Sequence, residues 1–170
     1  ARINEGALSQ PEALRIVLSV AHGLAAAHLA GVLHRDLKPE NVIIPKDGRV
    51  RVVDFGLAVL AARADDSVPR PSSDELGGTP AYMAPERWEG HDDGGEAADV
   101  WALGCILFEL LAGDVPFTGK TLVELANAII MSPAPRLEDH ADVPARASEL
   151  VARCLAQAPH DRPTAQEVAN

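Results

Sequence analysis

"HRDLKPEN", residues 34–41, sets a histidine, two cations, two carboxylates and a carboxamide around a single proline. A solvated loop would be polar too, so the order of these residues and their neighbours must carry the reading. Upstream, Ser9, Pro11 and Glu12 form a helix start, with serine as cap, proline in the first turn and glutamate three residues after the cap. Leu14, Val17, Leu18, Ala21, Leu24 and Ala25 then recur at helical spacing until Gly31 closes the segment. Downstream lies "NVIIPKDGRVRVVDFG", residues 41–56, in which Val42 to Ile44 and Val50 to Val53 flank a Pro-Lys-Asp-Gly turn. Asp47-Gly48 between two β-branched runs predicts a short antiparallel hairpin. The stretch therefore joins a long amphipathic helix to a small sheet.

The chain of 170 residues is long enough to bury the core of one domain. Hydrophobic residues at 47% and charged ones at 24% fit a soluble globular protein and argue against disorder. A formal net charge of −10 makes nucleic acid and anionic membrane poor partners, because both need a cationic surface. Cys105 and Cys154 stand far apart in apolar segments, without a CxxC pair or a Cys/His cluster, and read as reduced core thiols in a cytoplasmic setting. No cationic apolar leader opens the chain, and no run reaches the roughly 20 apolar residues of a membrane span. The longest candidate, "ADVWALGCILFELLAG" at residues 98–113, contains Asp99 and Glu109 and reads as a buried helix. The opening "ARINEGALSQ" has no initiator methionine, so a fragment is expected.

Residues 57–79 form a polar, breaker-rich stretch that predicts a long functional loop. After "PAYMAPERWEG" and the acidic link "HDDGGE" everything reads as helix. Asp99 to Ala112 is apolar nearly all round and belongs at the centre of the core. Thr121 with Glu124 opens a helix to Met131, Asp142 before Pro144 opens one through Val151, Cys154 and Leu155, and Thr164 with Glu167 opens the last. The expected fold is mainly α (α+β): a long helix, a small β-hairpin, a long loop and four further helices. His22, His28, His91, His140 and His160 show no ligand spacing and are expected to be structural or solvent-facing.

A hairpin brings its ends together, so Asn41 at the start of one strand should face Asp54 at the end of the other. A carboxamide oxygen and a carboxylate are hard ligands suited to Mg2+, with Mn2+ as the alternative ion. Asp36 and Lys38, two residues apart, add a proton acceptor and a fixed cation. These are the parts that phosphoryl transfer needs.

His34-Arg35-Asp36-Leu37 with Asn41, then Asp54-Phe55-Gly56, then Ala84-Pro85-Glu86 follow the order H-R-D-L-x-x-x-N, D-F-G, A-P-E. On these motifs the chain resembles the eukaryotic-type protein kinases. "GTPAYMAPE", "DVWALGCILFELLAGDVPF" and "PHDRPT" are similar to that family's substrate-binding loop, central helix and late arginine motif. The resemblance covers essentially residues 1–170, as the family's C-terminal lobe: catalytic loop 34–41, metal-binding motif 54–56 and activation segment 54–86. Alanine-rich helices and short loops suggest a bacterial member.

The resemblance implies a role for each matching residue. Asp36 would orient the substrate hydroxyl and accept its proton, while Lys38 would neutralise the transferring phosphate, a lysine typical of the serine/threonine branch. Asn41 and Asp54 would hold the magnesium ions that bridge the ATP phosphates, with Lys38, Glu40 and Ile43 also on the nucleotide side and Ile43 beneath the adenine. Thr79 resembles the threonine that bonds base and lysine. Asp99 resembles a buried aspartate that accepts backbone N–H groups of the catalytic loop, and Glu86 and Arg162 a long-range ion pair. His34 and Phe55 would be packing residues. Arg35 would receive a phosphate from the activation loop, where Ser67, Ser72, Ser73 and Thr79 offer hydroxyls and Glu75 stands where many relatives carry the phosphorylated residue. Glu40 and Glu109 match acidic positions that bind basic substrate side chains in some relatives.

Neither a G-x-G-x-x-G-x-V loop nor a V-A-I-K lysine precedes residue 14. Those parts belong to the small N-lobe, an expected partner in cis, without which the segment should be inactive. The parent is expected to transfer the ATP γ-phosphate to protein Ser/Thr hydroxyls. The alternative is a pseudokinase lobe that acts as a binding or scaffold module.

Overall fold

A computed structural model describes residues 8–55, 79–90 and 94–170. Helix α1 (Gln10–Leu29) turns Ala13, Ile16, Val17, Val20, Ala21, Leu24, Ala25 and His28 inward. Of the predicted stripe Val17, Ala21, Leu24 and Ala25 are buried, whereas Leu14 is half-buried and Leu18 exposed, because the inward face is rotated toward Ala13, Ile16 and Val20. Ser9 occupies the N-cap position, but its side chain does not cap, and the Glu12 N–H goes to the Ser9 carbonyl instead. At the other end Gly31 adopts φ +71°, and the N–H groups of Gly31 and Val32 return to the carbonyls of His28 and Ala27 at 2.9 Å. A left-handed residue there is what glycine permits at little cost.

The hairpin pairs β1 (Val42–Ile43) with β2 (Arg51–Val52), antiparallel, with Val42 opposite Val52 and Ile43 opposite Arg51. The ladder is shorter than the β-branched runs, because Pro45 has no N–H to continue it. The turn closes through the Gly48 N–H to the Pro45 carbonyl at 3.0 Å, with Gly48 at φ +73°. Asp47 braces it by accepting from the Arg49 N–H and from the Arg51 guanidinium, both at 3.0 Å. Strand β2 lies against α1.

Five further helices follow among the described residues, one more than expected. The addition is α2 (Pro85–Glu89), with proline in its first turn and Gly90 at φ +70° as its stop. Helix α3 (Gly95–Ala112) starts four residues before Asp99 and buries every residue from Ala98 to Phe108. Each large apolar side chain so buried contributes about 1.5–3 kcal/mol. Half of the largest fully buried side chains among the described residues lie on α3, so no other helix adds as much to the cohesion of the lobe. Helix α4 (Leu122–Met131) has half of the predicted capping box: Thr121 accepts the Glu124 N–H at 3.1 Å, but Glu124 accepts from the Lys120 N–H at 2.8 Å, one residue before the cap.

Helix α5 (Ala145–Cys154) begins after Pro144, not at Asp142, whose carbonyl instead accepts from the Gln10 side chain. Helix α6 (Ala165–Ala169) carries the complete Thr164/Glu167 capping box. Helices α1 and α5 pack on α3, and α6 packs on α1. Trp101 of α3 stacks on Phe117 with ring centres 5.6 Å apart.

Cys105 and Cys154 are buried free thiols, and burial pushes Cys154 up to about 12 and Cys105 higher. Thiols so hard to ionise are inert, which fits their predicted role in packing. Among the described residues no helix is long and apolar enough to cross a membrane.

Candidate active site

The site is organised around Asp99, four residues into α3 and 1% exposed. Its Oδ2 accepts the His34 N–H at 2.8 Å, and its Oδ1 accepts the Arg35 N–H at 2.8 Å. A third donor, His28 Nε2, reaches Oδ2 at 2.9 Å from the last turn of α1. A carboxylate buried this deeply is tolerable only with such a set of donors. Their effect is to fix the start of the catalytic loop against the central helix.

His34 is fully buried and does more than pack. Its ring lies 4.9 Å from Phe55, Nε2 contacts the Val53 carbonyl at 2.9 Å, and Nδ1 accepts the Asp36 N–H at 3.3 Å. An accepting Nδ1 leaves Nε2 as the donor. One imidazole thus ties the loop to the hairpin exit and to the backbone of Asp36. Arg35 and Asp54 both adopt left-handed φ, at +67° and +63°. Such conformations cost of order 1–3 kcal/mol for non-glycine residues, less for Asp than for Arg, and persist where surrounding bonds over-determine them.

Asp36, Asn41 and Asp54 line one cavity of about 320 Å³, together with Arg35, Tyr82 and Arg87. Lys38 Nζ lies 2.8 Å from Asp36 Oδ2. Asn41, in the 3-10 turn Pro39–Asn41, is 6% exposed and donates Nδ2 to the Asp36 carbonyl at 2.8 Å. With its nitrogen so engaged, the oxygen is the atom that could hold a cation. The Val53 N–H to the Asn41 carbonyl, at 2.9 Å, extends the hairpin pairing to the base of Asp54. Ile43 is 45% exposed on the outer face of β1, while its neighbour Val42 is buried.

On the far side of the loop, Glu86 and Arg162 form a two-pronged pair, Nη1 to Oε1 at 2.7 Å and Nη2 to Oε2 at 2.8 Å. Arg162 also donates to the carbonyls of Ala156, Ala97 and Gln157 and lies over the Trp101 ring, 4.9 Å from its centre. These contacts satisfy a guanidinium that is wholly buried. Tyr82 donates its hydroxyl to Glu109 Oε2 at 2.7 Å. Burial, then the bond to Glu109, raise the phenol far above its usual range, so it stays a donor.

Ser67, Ser72, Ser73, Glu75, Gly56 and His91 lie outside the described residues, and of Thr79 the structure describes the backbone, which opens the 3-10 turn Thr79–Tyr82. Glu40, in the same 3-10 turn of the loop as Asn41, is exposed. Arg87 of α2, whose Nη1 donates to the Arg35 carbonyl, was not singled out in the sequence, and His28, expected to be structural or solvent-facing, is structural through its bond to Asp99. His28 continues the buried stripe of α1 after Leu24, and that was its visible signal.

A helical lobe whose loop is clamped to its central helix and whose hairpin delivers Asp54 beside Asn41 is the large lobe of a protein kinase. The chain belongs to the protein kinase domain family, whose model matches residues 1–170. It is 39% identical over 158 residues to the serine/threonine-protein kinase drp72 of Corynebacterium efficiens, covering 93% of this chain and 29% of that one. It is 38% identical over 162 residues to the serine/threonine-protein kinase PknL of Mycobacterium tuberculosis, covering 94% and 39%. The chain thus spans well under half the length of these bacterial relatives. Among solved structures it is similar to Rad53 (1-466) in complex with AMP-PNP, with a TM-score of 0.78 and 27% identity over 99% of this chain and 41% of that one.

Proposed function

We propose that the protein containing this chain is a serine/threonine kinase that transfers the γ-phosphate of ATP to hydroxyls of a protein substrate. The observation that carries this reading is the meeting of Asp36, Asn41 and Asp54 around one cavity, with Lys38 in contact with Asp36. In it, Asp36 takes the hydroxyl proton as the oxygen attacks, and Lys38 holds that carboxylate in place while offering its charge to the phosphate. The left-handed backbone at Arg35 and Asp54, pinned by Asp99 and the hairpin, fixes where both acids point.

The donor set fits Mg2+. Asn41 Oδ1 and the Asp54 carboxylate offer two hard oxygens, and no cluster of three His, Cys, Asp or Glu side chains exists among the described residues. Mg2+ is commonly held in this way, by one or two carboxylates plus phosphate oxygens and water. Asn41 and Asp54 would hold the ion, whose chemistry is to shield phosphate charge. A smaller lobe in cis completes the nucleotide site, with Ile43 as part of its floor and Glu40 at its edge. Glu40 and Glu109 favour a basic side chain near the target hydroxyl, Arg35 answers to a phosphate on the loop containing Ser72, Ser73 and Glu75, and Thr79 steadies the base. This reading sets the activity in the cytoplasm, and the buried free thiols and the use of ATP support that setting.

The test is Mg2+- and ATP-dependent phosphorylation of serine or threonine in a general protein substrate by the complete protein, wild type against Asp36→Asn. Loss of at least 100-fold in kcat is expected. An inactive wild type would leave the scaffold reading in its place, and an Asp36→Asn variant with intact turnover would overturn the role of Asp36 as the base.

A further inference from the structure

The peptide unit that joins Arg35 to Asp36 is held at both of its polar ends by side chains. Its N–H, that of Asp36, goes to His34 Nδ1 at 3.3 Å. Its carbonyl, that of Arg35, receives Nη1 of Arg87. The preceding peptide is held as well, because the Arg35 N–H goes to Asp99 Oδ1 at 2.8 Å. Arg35 sits between these two units at φ +67°, a conformation that a non-glycine residue keeps only when its neighbours impose it. Asp99 fixes one side of the strained residue, and Arg87 fixes the other.

We propose that Arg87 is a positioning residue for Asp36. It acts through the Arg35 carbonyl and sets the plane of the peptide from which the Asp36 side chain departs. Arg87 suits this task for two reasons. Its helix, α2, is short but anchored, because the adjacent Glu86 is locked in the pair with Arg162. Its guanidinium cannot lose its charge in the physiological range, so the donor is permanent. Arg87 therefore links the end of the substrate-side segment to the orientation of the acid on the catalytic loop. A small error in the placement of a reacting group costs turnover far more than binding, so the signature is kinetic.

This inference rests on the kinase reading, and the experiment separates the two. In the complete protein, steady-state phosphorylation of one peptide is measured for the wild type, Arg87→Met and Arg87→Lys, with melting temperature followed in parallel. An inactive wild type refutes the kinase reading, and this inference with it. With an active wild type, Arg87→Met should lower kcat about tenfold or more while KM for ATP and for peptide stay within twofold. Arg87→Lys, which keeps one charged donor, should recover most of the loss.

Wild-type turnover in Arg87→Met overturns the proposal. So does a loss confined to the peptide KM, which would make Arg87 a substrate contact, and so does a loss that follows the melting temperature with no recovery in Arg87→Lys. Should Arg87→Met not fold, Arg87→Gln is read by amide hydrogen exchange. Faster exchange at Asp36 with unchanged protection in α3 supports the role, and unchanged exchange at Asp36 overturns it.

Discussion

The two ends of α3 each carry a carboxylate, and the protein holds them in opposite ways. Asp99 lies near the N-terminal end, where the exposed N–H groups of the helix favour negative charge, and it accepts three hydrogen bonds in full burial. Glu109 lies near the C-terminal end, where the carbonyls disfavour negative charge. It is half-buried, accepts one hydroxyl, and stands near Glu40 and Asp114. The first arrangement makes a fixed anchor for the loop that presents Asp36. The second leaves a carboxylate whose charge is poorly compensated, bonded to the tyrosine that lines the cavity. One helix thus carries both a rigid support and a carboxylate held by little.

The strongest way to break the contrast is to remove the anchor. Asp99→Leu keeps the bulk but orphans the N–H groups of His34 and Arg35 and the Nε2 of His28. At roughly 1–3 kcal/mol for each unsatisfied donor, a loss of about 4 kcal/mol is expected, read as a lower urea midpoint. Asp99→Asn sharpens it: the amide keeps one acceptor and turns a donor toward another donor, for about half that loss. Next in size is Arg162→Met, at the same end of α3, which leaves Glu86 nearly buried without a counter-charge and should cost about 3 kcal/mol. Restoring neutrality with Glu86→Gln in the Arg162→Met background should return part of it, whereas no partner change rescues Asp99→Leu.

How much of this was legible beforehand depends on how far each feature reaches along the chain. The hairpin was legible because Asp47-Gly48 and its flanking valines are local, although Pro45 shortened the ladder. Asp99 stood out as a carboxylate in an apolar helix. The short α2 did not, since five residues are too few to show a period. Caps were half legible: Thr121 and Thr164 made their bonds, while Ser9 did not and Asp142 gave way to Pro144. The contributions of His28 and Arg87 depend on partners 71 and 52 residues away, which tertiary packing brings to them. His34 was read as packing because a sequence shows a ring and not where its nitrogens point.

Midway between the two ends, Gly104 tests whether α3 is as closely gripped along its length as at Asp99. A Cβ there would lie 2.7 Å from the Cys154 Cβ and 3.1 Å from Leu155 Cδ2. Alanine is the better helix former by about 1 kcal/mol, but overpacking of this kind costs roughly 1–3 kcal/mol. A net loss of about 1 kcal/mol is expected for Gly104→Ala. Cys154→Ala should not relieve it, because the obstructing atom is the Cβ that alanine retains. A Gly104→Ala variant that gains stability would show that α5 can move away from α3.

The smallest effect belongs to Glu109, and its sign separates it from the anchor. Burial raises its carboxyl above the ordinary value of 4.5, the Tyr82 hydroxyl lowers it in part, and Glu40 and Asp114 raise it further. A carboxyl raised by folding binds its proton more tightly in the folded than in the unfolded chain. Stability from this group is therefore fully present below the unfolded value and is lost as pH rises from about 4.5 through the folded value. Measured against Glu109→Gln, which does not titrate, the wild type should lose relative stability over that window and then level off. Tyr82→Phe removes the one bond that favours the charged form, so the folded carboxyl should titrate higher still in a carboxyl-carbon NMR titration, with a stability change of about 1 kcal/mol or less. A downward shift in Tyr82→Phe would mean that the hydroxyl does not donate to the carboxylate, and the contrast between the two ends of α3 would lose its physical basis.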